Sequence, residues 1–242
     1  MDLIGRGRYG KVYKVGDDRA VKVSKSVKTA MHEISVLSSL AGGRNVIEVI
    51  HHFRVGAQVW MVMPLCDGTL GDVDPPQKKE LARQLLAAVK YVHEHDVSHN
   101  DIKPPNILLK DGKLLLADFG LASSLTRLTS LDIVTLPYRT PEHLKGCLPL
   151  DPRHVDIWAA LASIFECCHP DGHEFFSYGN TEEEVFFNQK LRLPRLVAGD
   201  PFEAFLATFM RTSQRKRVSL EALMQDPYFK ASRKRSRKMK NM

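Results

Sequence analysis

The chain has 242 residues, 43% hydrophobic and 26% charged, which is ample for a substantial buried core. No apolar run reaches the length of a membrane span and no basic-then-apolar leader precedes Gly5, so an intracellular protein, in nucleus or cytoplasm, is expected. The formal charge of +7 lies wholly in residues 230–242, where Lys230, Arg233, Lys234, Arg235, Arg237, Lys238 and Lys240 stand without an acid. The first 229 residues therefore balance, which argues against a body built to bind nucleic acid and confines any polyanion or nuclear-import contact to the tail. A solvated tail without a specific partner is the plain alternative.

In chain order, Gly5-Arg6-Gly7-Arg8-Tyr9-Gly10 comes first, and a β-like run, Val12 to Val15, follows it. After a polar turn at Gly16-Asp17-Asp18 comes a second run, Ala20 to Val23. A dinucleotide-binding fold would place a helix after the glycines, so this order predicts a hairpin with a glycine-rich first strand instead. Ala30, Ile34, Leu37 and Ala41 fall at helical spacing with Glu33 beside the stripe. Leu81, Leu85, Ala88, Val89 and Val92 predict a longer helix from about Gln77 to His95. Ile107-Leu108-Leu109 and Leu114-Leu115-Leu116, joined by Lys110-Asp111-Gly112, read as a second hairpin. Ala159 to Cys168 is apolar nearly all round, as a buried helix should be, and 182–191 and 202–210 are further helices. Cys66, Cys147, Cys167 and Cys168 lack metal-ligand spacing and are expected to be reduced thiols.

The segment His99-Asn100-Asp101-Ile102-Lys103-Pro104-Pro105-Asn106, with Asp118-Phe119-Gly120 twelve residues beyond Asn106, carries the chemistry. Phosphoryl transfer needs a carboxylate at the acceptor hydroxyl, a cation on the phosphate and oxygen ligands for magnesium. Asp101, Lys103, and the pair Asn106 and Asp118 supply these in turn. One such motif is weak evidence; two in this order and spacing are strong.

The chain resembles eukaryotic-type serine/threonine protein kinases from Gly5 to about Phe229. Ala20-Val21-Lys22 is similar to their nucleotide-binding lysine strand, Thr135 to Glu142 to the substrate-facing segment, and Asp156-Ile157-Trp158 to the start of a buried central helix. Arg217 matches the arginine that pairs with Glu142. The resemblance implies an α+β, two-lobed fold within residues 1–229: a β-rich small lobe with one helix to about 65, a hinge at about 66–72 and a mainly helical large lobe beyond. It implies ATP and Mg2+ as cofactors and protein substrates as partners. The nucleotide site it implies comprises Ile4, Gly5, Gly7, Gly10, Val12, Ala20, Lys22, Glu33, Met63, Pro64, Cys66 and Leu108. Asn106 and Asp118 would hold metal, Asp101 and Lys103 would act in catalysis, and Thr135 and Arg139 would face the substrate. Leu37, Val49, His99 and Phe119 would stack as an apolar column.

Gly5 to Lys14, His32 to Leu37 and Ile133 to Glu142 look like cyclin-dependent kinases, and Arg139 stands where those enzymes support a site for proline after the acceptor. Several departures stand out. Lys22 and Glu33 are only eleven residues apart, so the helix must have lost its first turns, which puts cyclin-type docking in doubt. An activating subunit is left open. His32, Asn100 and Ser123 replace phosphate-binding arginines, so phosphate on Ser130 would lack charged partners and activity should not require it. Tyr9 reads as steric cover rather than a modification site. A kinase-fold scaffold without catalysis is the rival reading, resting on the shortened small lobe.

Overall fold

The structure is a computed structural model; it describes residues 1–7, 10–72, 75–126, 128, 134–168, 179–192, 201–210 and 217–230. Tyr9, Ser130, Ile133 and the tail residues 231–242 lie outside the described residues. The chain adopts an α+β architecture with a β-rich N-terminal part and a helical C-terminal part.

The N-terminal part is an antiparallel sheet of β1 (Asp2–Arg6), β2 (Gly10–Val15), β3 (Arg19–Ser24), β4 (His51–Val55) and β5 (Gln58–Pro64), in the order β1-β2-β3-β5-β4. The polar turn between β2 and β3 uses Gly16 at a φ of 66°, a conformation glycine adopts without a Cβ penalty. Val59, Met61 and Met63 alternate as buried residues along β5, the period-two signature of a strand with one covered face. α1 (Val27–Ser39) starts where the Ser26 hydroxyl accepts the Thr29 amide at 3.3 Å. Its buried face is Ala30, Glu33, Ile34 and Leu37. Ala41, expected in that stripe, is instead exposed beyond the helix end; buried Leu40 closes the helix and Gly42, at a φ of 86°, turns the chain away.

In the C-terminal part, α2 (Pro75–Glu94) buries Leu81, Leu85, Ala88, Val89 and Val92. It begins two residues before Gln77, and His95 lies past its end. α2 packs on α4 (Pro152–Cys168), whose buried run from Trp158 to Phe165 is the centre of the core. Each large apolar side chain so covered contributes about 1.5–3 kcal/mol relative to exposure. α4 starts seven residues before Ala159, because Asp151 accepts the Arg153 amide at 2.9 Å ahead of a first-turn Pro152.

Among the shorter elements, β6 (Gly68–Thr69), β8 (Ile107–Lys110) and β9 (Lys113–Leu116) form one small sheet, and β7 (Val97–Ser98) pairs with β10 (Ser123–Ser124). Asp111 and Gly112, at φ 50° and 70°, make the two-residue turn of the β8–β9 hairpin, the geometry an Asp-Gly pair favours. α3 (Pro141–Leu144), α5 (Glu182–Arg192), α6 (Pro201–Phe209), α7 (Leu220–Met224) and α8 (Pro227–Lys230) complete the described elements. Cys66, Cys147 and Cys167 are free thiols.

Candidate active site

Three elements converge on Lys22. From β3, its ammonium donates to both Glu33 carboxylate oxygens of α1 at 2.8 Å, and at 2.8 Å to Asp118 Oδ1, just past β9. Glu33 is 2% exposed, so its charge depends on that partner. Burial works against the Lys22 charge, but Glu33 and Asp118 outweigh it and hold the ammonium above the ordinary lysine range. Burial raises the Glu33 pKa even against Lys22. At Asp118 burial also opposes charge, and there Lys22 prevails, keeping the carboxylate below the usual aspartate value. Asp118 holds a left-handed backbone, φ 65° and ψ 67°, an uncommon conformation that aspartate tolerates better than most residues.

A second cluster surrounds Asp101, which is 7% exposed. The Thr135 hydroxyl donates to Asp101 Oδ1 at 2.7 Å, and Lys103 Nζ donates to Asp101 Oδ2 and to the Thr135 oxygen, each at 2.8 Å. Asn106 Nδ2 donates to the Asp101 carbonyl at 2.8 Å and to its carboxylate at 3.3 Å, which leaves the amide oxygen as the group a cation could use. Lys103 also acts electrostatically on Asp118, so the two clusters form one field.

The loop that presents Asp101 is fixed from behind. Buried Asp156, on α4, accepts the His99 and Asn100 amides at 2.8 Å each and the His93 Nε2 at 2.9 Å. His99 donates Nε2–H to the Ala117 carbonyl at 3.0 Å and accepts the Asp101 amide on Nδ1 at 3.2 Å, which defines its tautomer. Its ring meets Phe119 edge-on at 4.6 Å, with Leu37 buried and Val49 packed on the same core. Sequence reasoning marked Asp156 only as the start of a helix. A buried carboxylate facing an Asp-bearing loop leaves no local pattern to find.

Around the other end of the cleft, Ala20 on β3 pairs with Met63 on β5, both buried, while Val12, Pro64, Cys66 and Leu108 are half-buried and Ile4 is exposed. The Cys66 thiol is 3.8 Å from the Pro64 carbonyl, and burial pushes its pKa up, so it stands as a neutral thiol. A Cβ on Gly10 would come within 2.5 Å of the Val23 carbonyl, which is why only glycine fits there. At Gly5 a Cβ would make only ordinary contact with Val12 at 3.5 Å, and at Gly7 it would meet nothing within 4 Å. Among the described residues, packing does not demand glycine at Gly7.

Toward the C-terminal part, Arg139 Nε donates to the Val134 carbonyl at 3.1 Å, and its guanidinium is ion-paired with Glu182 on α5. Gln189, also unmarked by the sequence, donates to the Arg139 carbonyl at 2.9 Å. Arg217 donates to Glu142 at 2.7 Å and stacks 4.8 Å over Trp158, the pairing the resemblance implied. Where arginines were expected to be missing, His32, Asn100 and Ser123 make hydrogen bonds of their own. His32 Nε2 donates to the Ala122 carbonyl at 2.7 Å. Asn100 Nδ2 donates to the Leu121 carbonyl at 2.9 Å and the Ser123 hydroxyl at 3.0 Å, and Ser98 adds a bond to the Ser123 carbonyl at 3.2 Å.

Among the described residues no three His, Cys, Asp or Glu side chains cluster as a self-sufficient metal site. Two oxygen donors, Asp118 and Asn106, suit a hard divalent cation that takes its remaining ligands from phosphate and water. A lysine held by two carboxylates, with a further carboxylate bonded by a second lysine, is the set of residue types that phosphoryl transfer asks for. The chain belongs to the protein kinase family: the protein kinase domain matches residues 1–229. It also resembles the cyclin-dependent kinase-like group. It is 38% identical over 183 residues to a protein of Encephalitozoon cuniculi (strain GB-M1) named "Probable cell division protein kinase", covering 68% of each chain. Members of the family use ATP with a divalent metal and act on protein substrates.

Proposed function

We propose that this chain is a Mg2+- and ATP-dependent serine/threonine kinase that prefers acceptors followed by proline, and that it works without phosphate on Ser130. The observation that carries the reading is the bonded set of Asp101, Lys103, Thr135 and Asn106, in the same field as Lys22, Glu33 and Asp118. Asp118 and the Asn106 amide oxygen would hold the cation, which when bound neutralises the triphosphate and supports its departing oxygen. Asp101 orients the acceptor hydroxyl and takes its proton late, because the transition state is loose and asks little base strength. Lys103 steadies the γ-phosphoryl group from the acceptor side. Lys22, kept charged by Glu33, binds the α- and β-phosphates under the Gly5–Gly10 loop. Adenine would meet the Pro64 carbonyl and the Cys66 amide, with Met63 at the back; proline costs nothing at a position that supplies only a carbonyl.

The proline preference rests on Val134, whose φ of 69° and bond to Arg139 leave its carbonyl occupied. An acceptor peptide with an N–H at the following residue would bury a donor without a partner; proline has none. Independence from Ser130 phosphate rests on His32, Asn100 and Ser123, which tie α1, the Asp101 loop and the segment after Phe119 by hydrogen bonds to carbonyl and hydroxyl oxygens. Glu33 meets Lys22 within the single chain, so no activating subunit is needed to close that pair. The cations of 230–242 are assigned to nuclear import or polyanion contact, and fusing that segment to an inert reporter tests it. The test of the catalytic reading is an oriented peptide library offered to the purified chain with Mg2+ and ATP. Transfer to serine and threonine with enrichment of proline at the next position is expected; tyrosine acceptors, or no preference there, would contradict it.

A further inference from the structure

A groove of about 430 Å3 lies outside the cleft and shares no residue with it. Three distant stretches build it: Arg44 and Asn45 after α1, Glu80, Arg83 and Gln84 on α2, and Lys113 opening β9. Its floor is fixed. Asn45 Nδ2 donates to Gln84 Oε1 at 3.2 Å and to the Leu114 carbonyl at 2.9 Å, and the Leu114 amide donates to the same Gln84 oxygen at 2.9 Å. The Leu116 amide donates to the Asn45 carbonyl at 2.9 Å, so loop and strand are joined along the backbone as well.

Its rim is unbalanced in charge. Glu80 is engaged by Arg83 through two hydrogen bonds, 2.7 and 3.0 Å, which neutralises that pair. Arg44 and Lys113 are exposed and have no acidic partner among the described residues. In a body of 229 residues whose charges sum to zero, this is a local surplus of two positive charges over a preformed floor. The long stems of Arg44, Arg83 and Lys113 add apolar walls. Cations on separate elements suit carboxylates spaced along an extended chain, with each rim charge adding steering and specificity more than raw affinity.

We propose that this groove docks an acidic, extended segment of a substrate protein, with Asp or Glu side chains at Arg44 and Lys113. That the partner is a substrate rests on the kinase reading. Lys113 precedes Asp118 by five residues, at most about 18 Å even if fully extended, and a flexible linker of about ten residues covers a span of that order. Docking segment and acceptor can therefore sit on one polypeptide.

The test uses the full chain without nucleotide and a fluorescein-labelled peptide with four glutamates in eight residues, against the same peptide with glutamines. Anisotropy should show the glutamate peptide binding at least tenfold tighter, and Arg44→Glu/Lys113→Glu should erase the difference. That variant keeps the seven tail cations, so binding to the tail would survive in it. Both positions are exposed, and Arg44→Gln/Lys113→Gln, gentler on folding, should give an intermediate loss. Joined through ten residues to a Ser-Pro acceptor, the acidic segment should lower KM about tenfold in the wild type and not in the charge-reversed chain, while the bare acceptor is unaffected. Equal binding of both peptides, undiminished binding by the variant, or tighter binding of a single-stranded oligonucleotide that the variant loses would overturn the proposal. Because binding is read without ATP, a catalytically silent chain with the expected binding pattern would overturn the kinase reading and leave the groove standing.

Discussion

The cleft and the junction below it both hold α1 against the helical part, with opposite chemistry. In the cleft, Lys22 bridges buried Glu33 and half-buried Asp118, so three charges depend on one another. At the junction, His32 reaches the Ala122 carbonyl and Asn100 reaches the Leu121 carbonyl and the Ser123 hydroxyl, with no carboxylate among the acceptors. Charges belong where a triphosphate must be bound and its charge redistributed, and a buried carboxylate such as Glu33 is tolerable only beside its ammonium. On the proposed reading, the bonds at the junction hold the segment without a phosphate to complete them. On the proposed function, the difference separates what serves the chemistry from what keeps the segment in place.

The largest effect should come from the charged side. Asp101→Asn is expected to lower turnover a hundredfold or more with little change in nucleotide affinity, measured by steady-state transfer and nucleotide titration. Lys22→Met would strand Glu33 without its ammonium; a stability loss of about 3–5 kcal/mol follows, seen as a melting temperature lower by roughly 6–20 °C together with lost transfer. A Lys22→Met chain as stable as the wild type would break the contrast, since its charged half would then be dispensable. Arg139→Ala, which frees the Val134 carbonyl, should cut the preference for proline over alanine by roughly tenfold in paired peptides, about 1.4 kcal/mol.

At the junction effects should be smaller. Asn100→Ala removes two hydrogen bonds and leaves the Ser123 hydroxyl to Ser98 and the Ser124 carbonyl, costing about 1–3 kcal/mol by denaturant melt, with turnover reduced only a few-fold. Ser130→Ala should leave turnover within about twofold of the wild type in the same transfer assay. A Ser130→Ala chain that lost activity would show that the junction needs a charge after all.

Much of this was legible because phosphate chemistry restricts residue type and spacing. Lys22, Glu33, Asp101, Lys103, Asn106, Asp118 and Thr135 are each recognisable in the chain, and the structure brings them into two bonded sets. The hairpins were legible from turn chemistry, Gly16 and Asp111-Gly112 above all. Helix ends were not: α4 starts at a cap on Asp151 that apolar periodicity cannot see, and α1 stops before Ala41 because of the turn at Gly42. Asp156 and Gln189 escaped because they act across α4 and α5 on loops far off in sequence, and the left-handed Val134 is a conformation no valine announces. The groove of Arg44, Arg83 and Lys113 is assembled from three such distant stretches.

The most direct measurement is transfer of labelled γ-phosphate to a Ser-Pro peptide by the purified chain, free of phosphate at Ser130 and of any added subunit, with Asp101→Asn beside it. Multiple turnovers by the wild type and a loss of a hundredfold or more in the variant are expected. No transfer by the wild type, or equal transfer by both, would contradict a cleft already assembled for catalysis in the single chain.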